Sequence, residues 1–74
     1  METIEERDYY VKLFEKYGDL LPQSQKQALQ LLLYEDLSYG ELAQELAMSR
    51  PGAYDAVKKA KLHLKQIDEK LKQS

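Results

Sequence analysis

Residues 39–57 read YGELAQELAMSRPGAYDAV, and this stretch decides the fold of the chain. It begins with a short predicted helix that carries Leu42 and Leu46 on its apolar side. Residues 47–49 interrupt that helix, and Ser49 can cap the helix that follows. Two helices joined by a three-residue turn are typical of a helix-turn-helix. In this motif the second helix projects its N-terminal residues outward, where they can enter a major groove.

Neighbouring residues support this interpretation. Ser38 and Glu41 have the spacing of a capping box, in which each residue bonds the backbone N–H of the other at the start of a helix. Ala43 is small enough to let two helices cross at a steep angle. We expect three larger apolar side chains to fill the wedge between the helices: Leu42, Leu46 and Met48.

The rest of the chain is also predicted to be helical, with no strand. The boundaries are about 4–17, 22–35, 39–47 and 50–71, with a capping box at Thr3 and Glu6 and with Pro22 in the first turn of the second helix. The predicted class is therefore all-α: a small helical bundle with a helix-turn-helix and a long C-terminal helix. Residues 1–74 are predicted to form one domain.

An apolar stripe runs along the predicted C-terminal helix. Its members are spaced 4-3-4-3-4, as in a coiled-coil seam. In one interpretation the stripe covers the first helix within the same molecule, and in the other it is an interaction stripe for a homodimer or another partner. The stripe begins at Ala53 and continues through Val57, Ala60, Leu64, Ile67 and Leu71.

Composition excludes several classes of function. The 74 residues include no cysteine, one histidine and three glycines, so thiolate zinc sites, paired-histidine metal centres and phosphate-binding glycine loops are excluded. No pair of carboxylates is placed for acid–base catalysis. We therefore expect no enzyme activity, no cofactor and no metal. The charged, acidic N-terminus is unlike a signal peptide and no apolar run could span a membrane, which favours a cytoplasmic location.

The net charge of −2 conceals an uneven distribution of charge. Residues 1–19 and residues 20–49 each carry −3, whereas residues 50–74 carry +4. Most nucleic-acid-binding domains are basic. The positive charge is confined here to the predicted recognition helix and its extension, so we expect any binding to be salt-sensitive rather than strong nonspecific coating.

Six residues at the start of that helix are candidates for nucleic-acid contact. Arg50 could bond a guanine edge or a phosphate. Tyr54 could stack on a base or pack at the edge of the bundle. Asp55 repels phosphate, so it either accepts from a cytosine amino group or pairs with a lysine on its own helix. The full set is Ser49, Arg50, Tyr54, Asp55, Lys58 and Lys59.

The sequence also resembles a known family. Residues 31–50, LLLYEDLSYGELAQELAMSR, resemble the helix-turn-helix of sigma-factor region 4. Residues 49–59, SRPGAYDAVKK, are similar to the SRQAVYDNIKR stretch of the YlxM-like proteins, and residues 14–22, FEKYGDLLP, resemble their opening. The resemblance covers about residues 10–70. It departs from the family at Pro51 and Gly52, where the family has glutamine and alanine.

The resemblance implies a sigma region 4-like helical bundle without enzyme activity. YlxM-like proteins are encoded with signal recognition particle genes and are associated with that pathway. The implied function is a nucleic-acid-binding regulatory protein whose ligand is DNA or the RNA of the signal recognition particle. The alternative is a protein-interaction module that binds particle components, such as its GTPase subunits, without contacting nucleic acid.

Overall fold

The computed structural model describes residues 4–72, which form four α-helices and no strand. Helix α1 is Ile4–Tyr17, α2 is Gln23–Tyr34, α3 is Tyr39–Glu45 and α4 is Arg50–Lys72, with a single 3-10 turn at Gly18–Leu20 after α1. The predicted all-α class, with its long C-terminal helix, is confirmed. The predicted capping box at the N-terminus of α1 includes Thr3, which lies outside the described residues.

Side-chain caps define the start of α3, as predicted. The Glu41 backbone N–H donates to Ser38 Oγ at 3.2 Å, and the Ser38 backbone N–H donates to Glu41 Oε1 at 3.2 Å. Helix α2 begins one residue later than expected. Pro22 has an extended backbone (ψ 149°) and precedes the helix at its N-cap position instead of lying in its first turn.

The turn of the helix-turn-helix closes through two backbone hydrogen bonds. The Met48 N–H donates to the Ala43 carbonyl at 2.9 Å, and the Ala47 N–H donates to the Gln44 carbonyl at 3.2 Å. This pairing is a Schellman motif, which needs a left-handed residue after the helix. Ala47 occupies that position with φ 54°.

Helix α4 begins directly after this turn. Ser49 Oγ accepts a hydrogen bond from the Gly52 N–H at 3.1 Å, which satisfies one of the unpaired N–H groups of the first turn and confirms the predicted cap. Met48 does not fill the wedge between the helices, and that expectation is wrong. Its backbone N–H bonds the Ala43 carbonyl at the end of α3, and the residue is 38% exposed.

The core lies beneath α4, which packs on all three other helices and most extensively on α2. Burying a large aliphatic side chain stabilises the fold by about 1.5–3 kcal/mol. The largest side chains that are fully buried come from three helices: Leu29, Leu42, Val57 and Leu64. The bundle therefore depends on α4 for its closure.

This packing decides between the two interpretations of the apolar stripe over most of its length. Val57, Ala60 and Leu64 are buried inside the molecule, so the prediction that they form an interaction stripe is wrong. Helix α4 as a whole packs on α2 and α3 as well as α1. Farther along α4, Ile67 is half-buried and Leu71 is 51% exposed. Within the stripe, the distal end is thus the more exposed part.

Two side chains of α1 make polar contacts with distant residues and so tie α1 to the bundle. Arg7 donates from Nη2 to the Leu33 carbonyl at 2.6 Å and from Nη1 to Asp36 Oδ1 at 2.5 Å, so its guanidinium group caps the C-terminus of α2. At the other end of α1, the Tyr17 hydroxyl donates to Asp68 Oδ1 at 3.2 Å. These contacts fix α1 against both α2 and α4.

Candidate nucleic-acid interface

Arg50 begins α4 and lies against the first turn of α3. A Cβ atom added to Gly40 would come within 2.8 Å of Arg50 Nη2, so the absence of a side chain at position 40 lets the guanidinium group lie over the α3 backbone. Arg50 is nevertheless exposed. The guanidinium group therefore lies close to α3 and remains accessible to a ligand.

Tyr54 lies one turn farther along α4 and contacts Tyr39. The two ring centroids are 5.3 Å apart, and the rings meet edge to face at 61°. Tyr54 is 53% exposed. Tyr39 is half-buried, and burial, with a smaller contribution from Tyr54, raises the pKa of its hydroxyl. Tyr54 thus combines packing at the edge of the bundle with an open surface that can receive a ligand.

The carboxylate of Asp55 pairs with a lysine of its own helix. Asp55 Oδ2 lies 3.0 Å from Lys59 Nζ. The expectation of a pair within the helix is met, with Lys59 as the partner. Lys58 is exposed and forms no ion pair with any residue in the range 4–72. The two adjacent lysines therefore differ in their electrostatic surroundings.

The structure brings together four of the six predicted contact residues. They line one shallow depression of about 440 Å³, together with Tyr39 and Pro51. The other two do not line it: Ser49 uses its hydroxyl to cap α4, and Lys59 pairs with Asp55. The four residues in the depression are Arg50, Tyr54, Asp55 and Lys58.

Two further lysines of α4 lie over an aromatic ring of α1. Lys61 Nζ is 4.9 Å and Lys65 Nζ is 5.9 Å from the centroid of the Tyr10 ring, within the range of cation–π attraction. Burial lowers the pKa of Lys61. Hydrogen bonding and charge interaction with Tyr10 raise the pKa of Lys65. Tyr10 therefore holds both ammonium groups on one side of α4.

Sequence reasoning missed three residues that shape this surface. Gly40 leaves room for the Arg50 side chain, and Tyr39 packs against Tyr54. Tyr10 lies beneath the two distal lysines. No local pattern marks these contacts, because each joins α4 to another helix.

Residues 4–72 provide neither a metal-binding cluster nor a membrane-spanning helix. No group of three or more histidine, cysteine or acidic side chains in this range could hold a metal ion. None of the helices formed by these residues is both long enough and apolar enough to cross a membrane.

Comparison with known proteins places the chain among helix-turn-helix sequences. A family model described as "Putative helix-turn-helix protein, YlxM / p13 like" matches residues 4–74. UPF0122 proteins of Bacillus cereus (strain AH187), Bacillus anthracis (strain A0248) and Bacillus thuringiensis subsp. konkukian (strain 97-27) are each 41% identical to it over 59 residues. These alignments cover 80% of this chain and 54% of each relative, so the chain spans about half the length of the curated relatives it matches. No solved structure gives a significant match.

Proposed function

We propose that this chain, which belongs to the YlxM/p13-like family of helix-turn-helix proteins, binds nucleic acid through the N-terminal half of α4 and acts as a regulator rather than an enzyme. One observation carries the proposal. Arg50, Tyr54 and Lys58 lie together in an open depression at the start of the second helix of the motif. Helix-turn-helix proteins contact nucleic acid at this position.

Electrostatics supports the same surface. Residues 50–74 carry +4 in a chain whose net charge is −2. Contacts between lysine or arginine and phosphate release counterions, so affinity falls as salt rises. Residues 1–49 are acidic, so they repel phosphate and oppose the approach of nucleic acid to other surfaces of the molecule. We expect binding that is oriented by α4 and strongly weakened by salt.

We further propose that the ligand belongs to the signal recognition particle pathway in the cytoplasm and that residues 1–74 act as one domain. The basis is the resemblance to YlxM-like proteins over residues 10–70. The RNA of the particle is then the first ligand to test, with duplex DNA as the comparison.

The test is a titration at low salt against duplex DNA, the particle RNA and the particle's GTPase subunit. Binding should weaken when Arg50 and Lys58 are replaced by alanine. Each replaced phosphate contact should lower the slope of log affinity against log salt by about 1.

Lys70→Ala is the matched control, because it removes the same charge from an exposed position on the same helix. It lies about 18 Å along the helix from Lys58, at a rise of about 1.5 Å per residue. If Lys70→Ala weakens binding as much as Lys58→Ala, binding depends on net charge alone and the proposed surface is wrong.

The alternative function is a protein-interaction module. The observation that favours it is the distal end of α4, where Ile67 is half-buried and Leu71 is exposed. A GTPase subunit of the particle or a second copy of this chain could cover this end. Binding of the subunit that is lost in Leu71→Glu and kept in Arg50→Ala would support the alternative over the nucleic-acid surface.

A further inference from the structure

One side of α4 carries an uninterrupted line of basic and aromatic side chains. Their spacing of 4, 4, 3 and 4 residues keeps them within about 80° of arc around the helix and spreads them over about 22 Å along it. We call this surface the α4 flank. It consists of Arg50, Tyr54, Lys58, Lys61 and Lys65.

Three adjacent depressions follow the α4 flank. The first, at the start of the helix, shares Tyr39 and Tyr54 with a middle depression of about 400 Å³. The third, of about 220 Å³, shares Lys58 with the first and Lys61 with the middle one. Neighbouring depressions have residues in common, so they lie next to one another along α4, and we refer to the three together as the groove.

We infer that the α4 flank binds unpaired nucleotides, so that a bulge or loop is preferred over a continuous duplex. This inference rests on the proposed nucleic-acid function and specifies its ligand. Sites for single strands combine a basic groove that follows the backbone with aromatic side chains on which bases stack. The groove has cations at its start, middle and end, and an open aromatic ring at Tyr54.

Apart from Arg50, the first turn of α4 is poorly equipped to read a duplex. Direct readout in the major groove needs side chains that donate to or accept from base edges. Pro51 and Gly52 offer no polar side chain there, and Asp55 is paired with Lys59. By contrast, the ring of Tyr54 is held edge to face by Tyr39 and is half exposed. A ring presented in this way can stack only on a base whose own face is uncovered.

The middle depression could receive such a base. Its volume of about 400 Å³ lies within the usual range for small-molecule pockets. Leu32 and Leu37 give it apolar walls, and Glu6 and Lys61 are charged residues of its lining. The carboxylate of Asp36, also at this site, is neutralised by Arg7. The site is therefore mixed in character, as a nucleobase requires.

The test compares duplexes that differ only in a bulge. A labelled duplex and the same duplex with a five-nucleotide bulge, each made in RNA and in DNA, are titrated with the full chain at low salt. The bulged form should bind about tenfold more tightly, the effect of stacking one base on an aromatic ring. A preference for the bulge in RNA, in DNA or in both supports the inference and identifies which source of unpaired nucleotides fits.

Three variants assign the preference to the ring. Tyr54→Leu should lower affinity for the bulged form about tenfold more than affinity for the continuous duplex, and so remove the preference for the bulge. Tyr54→Phe keeps the ring and should keep the preference. Tyr34→Leu is the matched control, because Tyr34 is 49% exposed, meets Phe14 edge to face and lines none of the three depressions.

The outcomes separate this inference from the proposed function. Equal affinity for bulged and continuous duplexes overturns the inference alone, as does a bulge preference that survives Tyr54→Leu. Absence of binding to every probe overturns the proposed function as well. Circular dichroism of each variant establishes that a lost preference does not come from unfolding.

Discussion

The hydroxyl of Tyr17 donates a hydrogen bond to Oδ1 of Asp68, 3.2 Å away, and so joins the last residue of α1 to the distal half of α4. The Asp68 side chain is only 9% exposed, and its Oδ2 lies 3.4 Å from Lys72 Nζ. A carboxylate at this depth loses hydration and needs polar partners within the protein. Tyr17 and Lys72 supply them.

Removing the Tyr17 hydroxyl should destabilise the fold. Tyr17→Phe leaves Asp68 with one partner fewer, and hydrogen bonds to charged groups contribute about 1.5–3 kcal/mol. Because Tyr17 is only half-buried, we expect the free energy of unfolding to fall by about 1–2 kcal/mol in urea denaturation. Tyr34→Phe is the control, with an expected change below about 0.5 kcal/mol. Equal losses in the two variants would contradict the structural role of the hydrogen bond.

The same contact makes stability depend on alkaline pH. Burial, followed by the hydrogen bond and charge of Asp68, raises the pKa of Tyr17 above its usual value of 10.0. The protonated phenol is then favoured in the folded state. Its contribution is complete below about pH 10 and is lost as pH rises through the folded pKa. Tyr17→Phe should therefore lose less stability between pH 9 and about pH 11 than the unmodified chain.

Urea unfolding at each pH, with tyrosinate absorbance as a second signal, measures this difference. Comparing the two proteins cancels the contributions of the other titrating groups. If both proteins lose the same free energy of unfolding over this interval, the pKa of Tyr17 is not raised in the folded state.

Glycine at position 47 should stabilise the turn. Ala47 has φ 54°, in the left-handed region that costs an L-residue about 1–2 kcal/mol. Glycine removes that cost and adds freedom to the unfolded chain, so Ala47→Gly should raise the free energy of unfolding by about 0.5–1 kcal/mol. The same substitution at Ala56, inside α4, should lower it by about 1 kcal/mol. In thermal unfolding, the two substitutions should change stability in opposite directions. A loss of stability at both positions would refute the Schellman assignment.

Arg7 should contribute more to the stability of the fold than its carboxylate partner, Asp36. Arg7→Ala removes the donor to the Leu33 carbonyl as well as the ion pair, and should cost about 1–2 kcal/mol. Asp36→Ala removes only an exposed ion pair, which is worth about 0–1 kcal/mol. Urea denaturation of the two variants tests this order. A larger loss for Asp36→Ala would show that the ion pair, not the cap on α2, is the stabilising contact.

Two adjacent lysines provide a sharp test of the proposed interface. Lys58 lines the depression beside Tyr54, whereas Lys59 is paired with Asp55. Lys58→Ala should lower the salt slope of nucleic-acid binding by about 1, and Lys59→Ala should leave it nearly unchanged. Fluorescence anisotropy over a range of salt concentrations gives both slopes. Equal slopes would mean that the ligand approaches a different side of α4.

Much of the fold could be predicted because its signals are local. The Ser38–Glu41 capping box, the Ser49 cap and the regular apolar spacing of α4 each depend on residues a few positions apart. The covering of α2 by α4 was not predictable in this way. A heptad-like stripe shows that a helix has one apolar side, but not whether its own chain or a partner covers that side.

The candidate site was predictable only in part. The position of the turn placed Arg50, Tyr54 and Lys58 on the outward side of α4. Their supports come from other helices, and neither the contact of Arg50 with Gly40 nor that of Tyr54 with Tyr39 has a signature in sequence. Met48 shows a related difficulty. An apolar residue after a short helix looks like a core residue until the left-handed turn at Ala47 is known.

The dependence of the core on α4 has a consequence for protein synthesis. The first three helices leave the ribosome before the helix that covers them, so Leu29 and Leu42, fully buried in the finished protein, emerge without their cover. Translation proceeds at about 5–20 residues per second, so residues 50–64 take about 1–3 seconds to add. A pause in translation within α4 would lengthen this exposure, whereas a pause after Leu64 would come when the core residues of α4 are already made.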